Sequence, residues 1–292
     1  MAGGDGDLAA WATTTGGMLL LLLAGLAAGS WLCGWALRRS GDAGSGRRTG
    51  TVRRRGPRSS ALRELVAVDR ASVWRAPALR RGGLVLAVLP GLVAAGAALP
   101  WASLVILPGL VAAGAGLLFG VNAFSLDASG ATWLASLPHD PRLVLRAKAV
   151  VLTETVLAAV VVAAAVGSLR SPGSPTGVEL CAIVVSGLVC TLAVVTVALA
   201  ASVRRPHRAD LRGPRDAVAP PGALAIASVR LAVPTTLVGI LLGSSLAFGA
   251  WWAPVVFAVP PVLLCALSLR RTVRWYADPV TRARIVSVVS AG

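Results

Sequence analysis

Residues 82–120 read GGLVLAVLPGLVAAGAALPWASLVILPGLVAAGAGLLFG and contain no charged side chain. A continuous helix of this length would be about 58 Å long, roughly twice the ~30 Å hydrocarbon core of a bilayer. Pro100 and Trp101 stand near the middle of the stretch, and proline favours a break between helices. The stretch therefore predicts a tight helical hairpin, with one membrane span over about 83–99 and the next over about 101–120.

Five further apolar runs have a similar length and few charges. They lie at about 17–37, 149–169, 180–203, 223–249 and 253–269. Runs of this length match the thickness of a bilayer when they are helical, so the sequence predicts an all-α, polytopic integral membrane protein with about seven transmembrane helices. We expect two parts: residues 1–58, with a leading helix and a basic flexible linker, and residues 59–292, with a unit of six spans.

The positive charge of the chain is distributed unevenly between the connections. Of the 28 Lys and Arg residues, 26 lie in the alternate segments 38–81, 121–148, 204–222 and 270–292. Cytoplasmic loops of membrane proteins collect Lys and Arg. We therefore expect a plasma-membrane protein with these segments in the cytoplasm. Its N-terminus would lie outside the cell and its C-terminus inside. The same rule explains the net charge of +16 without a nucleic-acid partner.

The last part of the first basic segment predicts a separate helix over 60–75. Leu62, Leu65, Val66 and Val73 share one face of this helix, but Asp69 interrupts that face. An amphipathic helix of this kind lies at the membrane interface. An ordinary helix exposed to water is the alternative.

The sequence contains no recognisable catalytic, cofactor-binding or metal-binding pattern. It lacks G-x-x-x-x-G-K-[ST], H-E-x-x-H and G-x-S-x-G, the patterns of P-loop nucleotide binding and of two hydrolase classes. His139 and His207 are the only histidines, and the four cysteines lie in apolar runs without a C-x-x-C pair. We therefore expect no catalytic site, cofactor or metal on this chain, and no enzymatic activity of its own.

Two ionisable residues, Glu154 and Arg230, fall within predicted spans, each about five to seven residues from its cytoplasmic end. Charged groups within a membrane usually pair with one another or line a polar cavity. Their matching depth predicts an intramembrane ion pair. The alternative is that each side chain extends separately to the nearby interface.

The connection 121–148 differs from the other basic segments because it carries apolar side chains. It reads VNAFSLDASGATWLASLPHDPRLVLRAK, with Trp133 and Leu134 in a segment that should face the cytosol. We expect one or two helical turns that end at Pro138, followed by a helix that Pro141 begins. Exposed apolar residues indicate a docking surface. The alternative is a loop that packs on its own interfacial helices.

This connection resembles the segment between the second and third spans of type 2 ABC transporter permeases. The matching residues are Asn122, Phe124, Asp127, Gly130, Trp133, Leu134, Pro138, Arg142 and Lys148. Ser125 and Ala147 stand where the family usually has glycine. The layout of 60–292, an amphipathic segment followed by six spans, is also similar to the six-span unit of that family.

The resemblance implies a function and two partners. In that family the segment forms a coupling helix that meets a separate, soluble P-loop ATPase subunit, and the six-span units work in pairs. We therefore expect the membrane-spanning permease subunit of an ATP-driven exporter, surrounded by membrane lipids and paired with a second copy or a paralogue. The coupling residues would be Asn122, Phe124, Asp127, Trp133, Leu134, Pro138, Arg142 and Lys148. The alternative is a membrane scaffold or assembly protein without transport activity, or a degenerate permease.

Overall fold

The computed structural model describes residues 60–127, 130–138, 140–207 and 219–290. These residues are mainly helical and include no β-strand. The α-helices, numbered in chain order, are α1 (Ala61–Arg75), α2 (Pro77–Gly96), α3 (Trp101–Leu104), α4 (Leu107–Ala115), α5 (Gly130–Ser136), α6 (Pro141–Ser168), α7 (Gly177–Arg204), α8 (Pro221–Ser245), α9 (Ala253–Ala277) and α10 (Pro279–Ser290). The chain separates into two compact units between Pro57 and Arg58, and the residues described belong to the second unit.

Six segments in this part of the chain are long and apolar enough to cross a bilayer. In chain order, spans 1 to 6 are Leu79–Gly96, Trp101–Asp127, Pro141–Ser168, Gly177–Arg204, Pro221–Phe248 and Ala253–Ala277. Each corresponds to one of the last six predicted spans, so the prediction of an all-α polytopic membrane protein is confirmed. The leading span predicted over 17–37 lies outside the described residues.

Spans 1 and 2 form the predicted hairpin. Helix α2 ends at Gly96, Ala98 adopts a left-handed backbone conformation with φ of 47°, and Pro100 is the N-cap residue of α3. The Trp101 indole donates a hydrogen bond of 3.1 Å to the carbonyl of Gly173, which ties the hairpin to the connection between spans 3 and 4. Because proline has no backbone N–H to donate, the preceding helix does not continue through Pro100, and α3 begins at Trp101.

The helix of span 3 begins at Pro141, as predicted, eight residues before the apolar run that starts at about 149. The carboxylate of Asp140 accepts a hydrogen bond of 2.9 Å from the backbone N–H of Arg142, and proline suits the first position of a helix. Hydropathy marks only the part of a helix that lies inside a bilayer, so the predicted span was shorter than the helix. Lys148 lies in the second turn of this helix.

Spans 2 and 4 occupy the centre of the bundle, while spans 1, 5 and 6 expose most of their side chains. Small residues bring the two central spans together. A Cβ added to Gly116 would lie 2.5 Å from a methyl carbon of Val194, and one added to Gly120 would lie 2.5 Å from the Cβ of Ala198. Both pairs are spaced by four residues, the arrangement that lets two helix backbones approach closely.

A methyl group at Gly120 should therefore force these spans apart. The Cβ of Ala198 has no rotamer by which it could move away. We expect Gly120→Ala to reduce the free energy of unfolding by about 1–3 kcal/mol, the usual cost of overpacking, measured by reversible chemical unfolding in bicelles. Gly243→Ala is the matched control because nothing lies within 4 Å of its added Cβ. Equal stability of the two variants would contradict the close contact.

Candidate functional site

The end of span 2 is fixed to span 4 by a buried hydroxyl group. Ser202 Oγ donates to the carbonyl of Gly120 at 2.8 Å and accepts from the backbone N–H of Ala123 at 3.0 Å. Ser202 is fully buried. Its hydroxyl satisfies two backbone groups that the end of a helix leaves without intrahelical partners, and so fixes the direction in which the chain leaves span 2.

Two residues of the predicted coupling set, Asn122 and Phe124, lie in the interior of the protein at the end of span 2. The side-chain amide of Asn122 donates to the carbonyl of His207 at 2.6 Å. The Phe124 ring stacks on the ring of Tyr276, with centroids 5.5 Å apart and an angle of 7° between the planes. Both predicted residues are buried, so they anchor the end of span 2 to the segment that follows span 4 and to span 6, and they do not face the surface.

The centre of the site is a buried ionic cluster around the side chain of Lys148. Its Nζ lies 2.5 Å from Oδ1 of Asp69 and 2.7 Å from Oδ1 of Asp127. The Lys148 side chain is only 4% exposed, and the two carboxylates are 10% and 19% exposed. An ammonium group has three donors, and two of them are used here. Lys148 thus joins α1, the end of span 2 and span 3 at one point.

A second ion pair joins α1 to span 3 through Arg70 and Glu154. The guanidinium forms hydrogen bonds of 2.7, 2.8 and 3.1 Å to the two oxygens of the Glu154 carboxylate. About half of each side chain is exposed. The prediction that Glu154 pairs with Arg230 is therefore wrong, because α1 packs along span 3 and presents Arg70 to the carboxylate. Arg230 forms no salt bridge with any described residue.

Helix α5 occupies the predicted position in the connection and has two different faces. Ala131 is buried, and Leu134 packs against the hydrophobic core. Trp133 on the other face is 66% exposed. The helix ends at Ser136, just before Pro138, as predicted. The two remaining residues of the predicted set, Pro138 and Arg142, lie at the surface.

A groove lies on each side of α5. The groove between α5 and α1 has a volume of about 360 Å³, and its lining includes Val68 and Trp133. The groove between α5 and α10 has a volume of about 580 Å³, and its lining includes Leu137 and Val286. Leu134 lines both grooves. The short helix is thus held between the amphipathic helix that precedes the spans and the helix that follows them.

A carboxylate fixes the start of α10. Asp278 accepts hydrogen bonds from the backbone N–H of Thr281 at 2.9 Å and from its hydroxyl at 2.7 Å. These hydrogen bonds hold the pKa of the Asp278 carboxyl below its ordinary value of 3.8. The carboxylate is therefore ionised at neutral pH, where a negative charge at the N-terminus of a helix is favourable.

Sequence reasoning identified Asp127 and Lys148 but missed the residues that complete the site. Asp69 was visible as a carboxylate on the apolar face of a predicted helix, and Lys148 is the only lysine of the chain. A buried charge needs a partner, so a contact between Asp69 and Lys148 could have been predicted. Ser202 and Tyr276 gave no such signal, because a serine at the end of an apolar run and a tyrosine in a basic segment need no explanation.

Comparison of the chain with protein-family models, with curated proteins and with solved structures finds no match.

Removal of the Lys148 charge should destabilise the protein strongly. Lys148→Met keeps most of the side-chain volume but leaves two carboxylates without their cation. Breaking a buried ion pair in this way costs about 3–5 kcal/mol, and we expect a loss of this size in chemical unfolding experiments. Glu154→Gln, which breaks the half-exposed pair, should cost at most about 1 kcal/mol.

A triple variant, Asp69→Asn with Asp127→Asn and Lys148→Met, separates charge from packing. It removes all three charges together, so most of the stability lost in Lys148→Met should return. If the triple variant is as unstable as Lys148→Met, the contribution of Lys148 is steric and the ionic cluster is not the cause.

Proposed function

We propose that this chain is the membrane-spanning permease subunit of an ATP-driven exporter, and that α5 receives the motion of a separate, soluble P-loop ATPase. The observation that carries the proposal is the bridge from Lys148 to Asp69 and Asp127. This bridge ties the connection that bears α5 to span 3 and to the amphipathic helix. A displacement of α5 would thereby move membrane elements and not only a loop.

The two faces of α5 suit this role. Leu134 packs inward against the core, while Trp133 is exposed. Exposed aromatic side chains are favoured as anchors of protein interfaces, because they bury a large area at low entropic cost. On this proposal Trp133 contacts the ATPase, and Leu134 passes the force to the bundle.

The route from α5 into the bundle is short. Asp127 ends span 2 three residues before α5 begins, and its carboxylate holds Lys148 on span 3. Arg70 and Glu154 connect α1 to span 3 one helical turn or more further along. Buried, tightly packed contacts shift between discrete arrangements and do not deform gradually, so the cluster would move as one body between the inward-facing and outward-facing states.

The remaining parts of the proposal concern partners and orientation. ATP would be hydrolysed on the partner, and a second copy of this chain or a paralogue would complete the translocation path. The chain would lie in the plasma membrane, and the end of the bundle that bears α5 would face the cytoplasm. An apolar bundle with few charges inside its spans suits lipophilic cargo.

Substitution of Trp133 tests the docking role directly. We expect Trp133→Ala to lose a co-purifying P-loop ATPase, and to lose ATP hydrolysis by the isolated complex, while unfolding as the unchanged protein does. Trp251→Ala is the matched control, since Trp251 is 69% exposed and lies at the opposite end of the bundle, between spans 5 and 6. Leu134→Ala should instead lower stability.

The complex for this experiment is purified from the native membrane in a mild detergent. Absence of an ATPase from the complex of the unchanged chain would contradict the proposal, as would equal retention of the ATPase by Trp133→Ala and Trp251→Ala. Either result would favour a membrane scaffold, which has no need of an ATPase docking on α5.

A further inference from the structure

Arg230 occupies an unusual position on span 5. It lies nine residues after Pro221, about 14 Å along the helix. Side chains at the same face of α8 are large, apolar and exposed, and they continue on both sides of the arginine: Ile226, Val229, Val233, Leu237 and Ile240. A helix face of this composition is covered by lipid tails in a bilayer. Arg230 is therefore a charged group on a lipid-facing surface.

Arg230 has no anionic partner among the side chains that the structure describes. Glu154 pairs with Arg70, while Asp69 and Asp127 pair with Lys148. An arginine within a membrane is costly unless a counter-charge neutralises it. The described part of the chain supplies none, so an anion from outside these residues would stabilise Arg230.

A cavity of about 180 Å³ lies beside Arg230, at the end of the bundle where spans 4 and 5 are connected. Arg205 and His207, which follow span 4, also line this cavity. Its walls are apolar and come from three parts of the chain: Val121, Ala201, Ala223, Ile226 and Ala227. None of the described lining residues is acidic. The neighbouring Arg204 lies 3.8 Å above the ring of Trp275, so Arg205 is the arginine of this pair that faces the cavity.

We propose that Arg205 and Arg230 bind the phosphate of an anionic membrane phospholipid, with its acyl chains along the exposed face of α8. Guanidinium groups bind phosphate through paired, charge-assisted hydrogen bonds. The apolar walls of the cavity and the stripe beyond it would contact the glycerol and acyl groups. Basic pockets between membrane helices at the cytoplasmic side are suited to anionic headgroups, and this end is the cytoplasmic one in our proposed orientation.

The inference does not depend on transport activity. It requires only that the chain lies in a membrane and that its two arginines face one cavity. A dimer of this chain could cover the same face of α8, but a second copy would have to bring a carboxylate to Arg230. Spans 5 and 6 contain no Asp or Glu within the ranges given above. The same face of a second copy therefore brings no carboxylate to Arg230.

The test is native mass spectrometry of the full chain, purified in detergent and titrated with phosphatidylglycerol or with phosphatidylcholine of the same acyl chains. We expect tighter retention of phosphatidylglycerol. Arg230→Gln and Arg205→Gln should each weaken it about tenfold or more, the effect of losing a hydrogen bond between charged groups. Arg230→Lys, which keeps the charge, should retain part of the preference.

Arg170→Gln is the matched control, because Arg170 is exposed at the opposite end of the bundle. Equal retention of the two lipids by the unchanged chain would overturn the proposal, and so would an equal loss of phosphatidylglycerol in Arg170→Gln and Arg230→Gln. Displacement of the lipid by an equal concentration of inorganic phosphate would overturn it in favour of a soluble anion. Dissociation of a dimer by Arg230→Gln with unchanged lipid retention would overturn it in favour of a subunit contact.

Discussion

A single ammonium group, that of Lys148, lies between two carboxylates in the interior of the protein, and the arrangement of the surrounding elements depends on it. The contacts at 2.5 and 2.7 Å join residues that are 79 and 21 positions apart in the chain. Removing the Lys148 charge would leave two buried carboxylates without their cation. The amphipathic helix, the connection with α5 and span 3 are therefore bound to a common geometry. The packing of Ala131 and Leu134 holds α5 against the bundle, and the cluster adds a charged link from Asp127, which precedes it, to span 3.

The bilayer imposes a second constraint, since every charge near it must find a partner or reach water. The cluster at Lys148 and the pair of Arg70 with Glu154 meet this constraint within the chain. Arg230 has no acidic partner among the described residues, and it stands on an apolar stripe beside a cavity that Arg205 also lines. Paired charges thus hold helices together at this end of the bundle, while we propose an anionic lipid as the partner of Arg230.

Much of the fold could be predicted from the sequence. The length of 82–120 required two spans. With two spans there, the basic segments fall on one side of the membrane, as the positive-inside rule expects. The helix start at Pro141 was predicted from the proline, but the end of the last span was placed at 269 and the helix continues to Ala277. Hydropathy does not detect helical turns in polar surroundings. The site was predicted only in part. Asp127 and Lys148 were identified, but Glu154 was assigned to Arg230, since matching depth along two helices does not reveal which helices are neighbours.

The sequence by itself determined that this is an all-α membrane protein, where its six described spans lie, and that a short helix with an exposed tryptophan interrupts the connection between spans 2 and 3. These properties follow from local composition, from the rise of a helix and from proline positions. Only the tertiary structure decided which charges meet. Asp69 and Arg70 are adjacent in the chain and lie on the same helix, yet the first is buried against Lys148 and the second reaches Glu154. That choice depends on how α1 packs along span 3, and the energy of such packing arises from contacts between residues far apart in the chain.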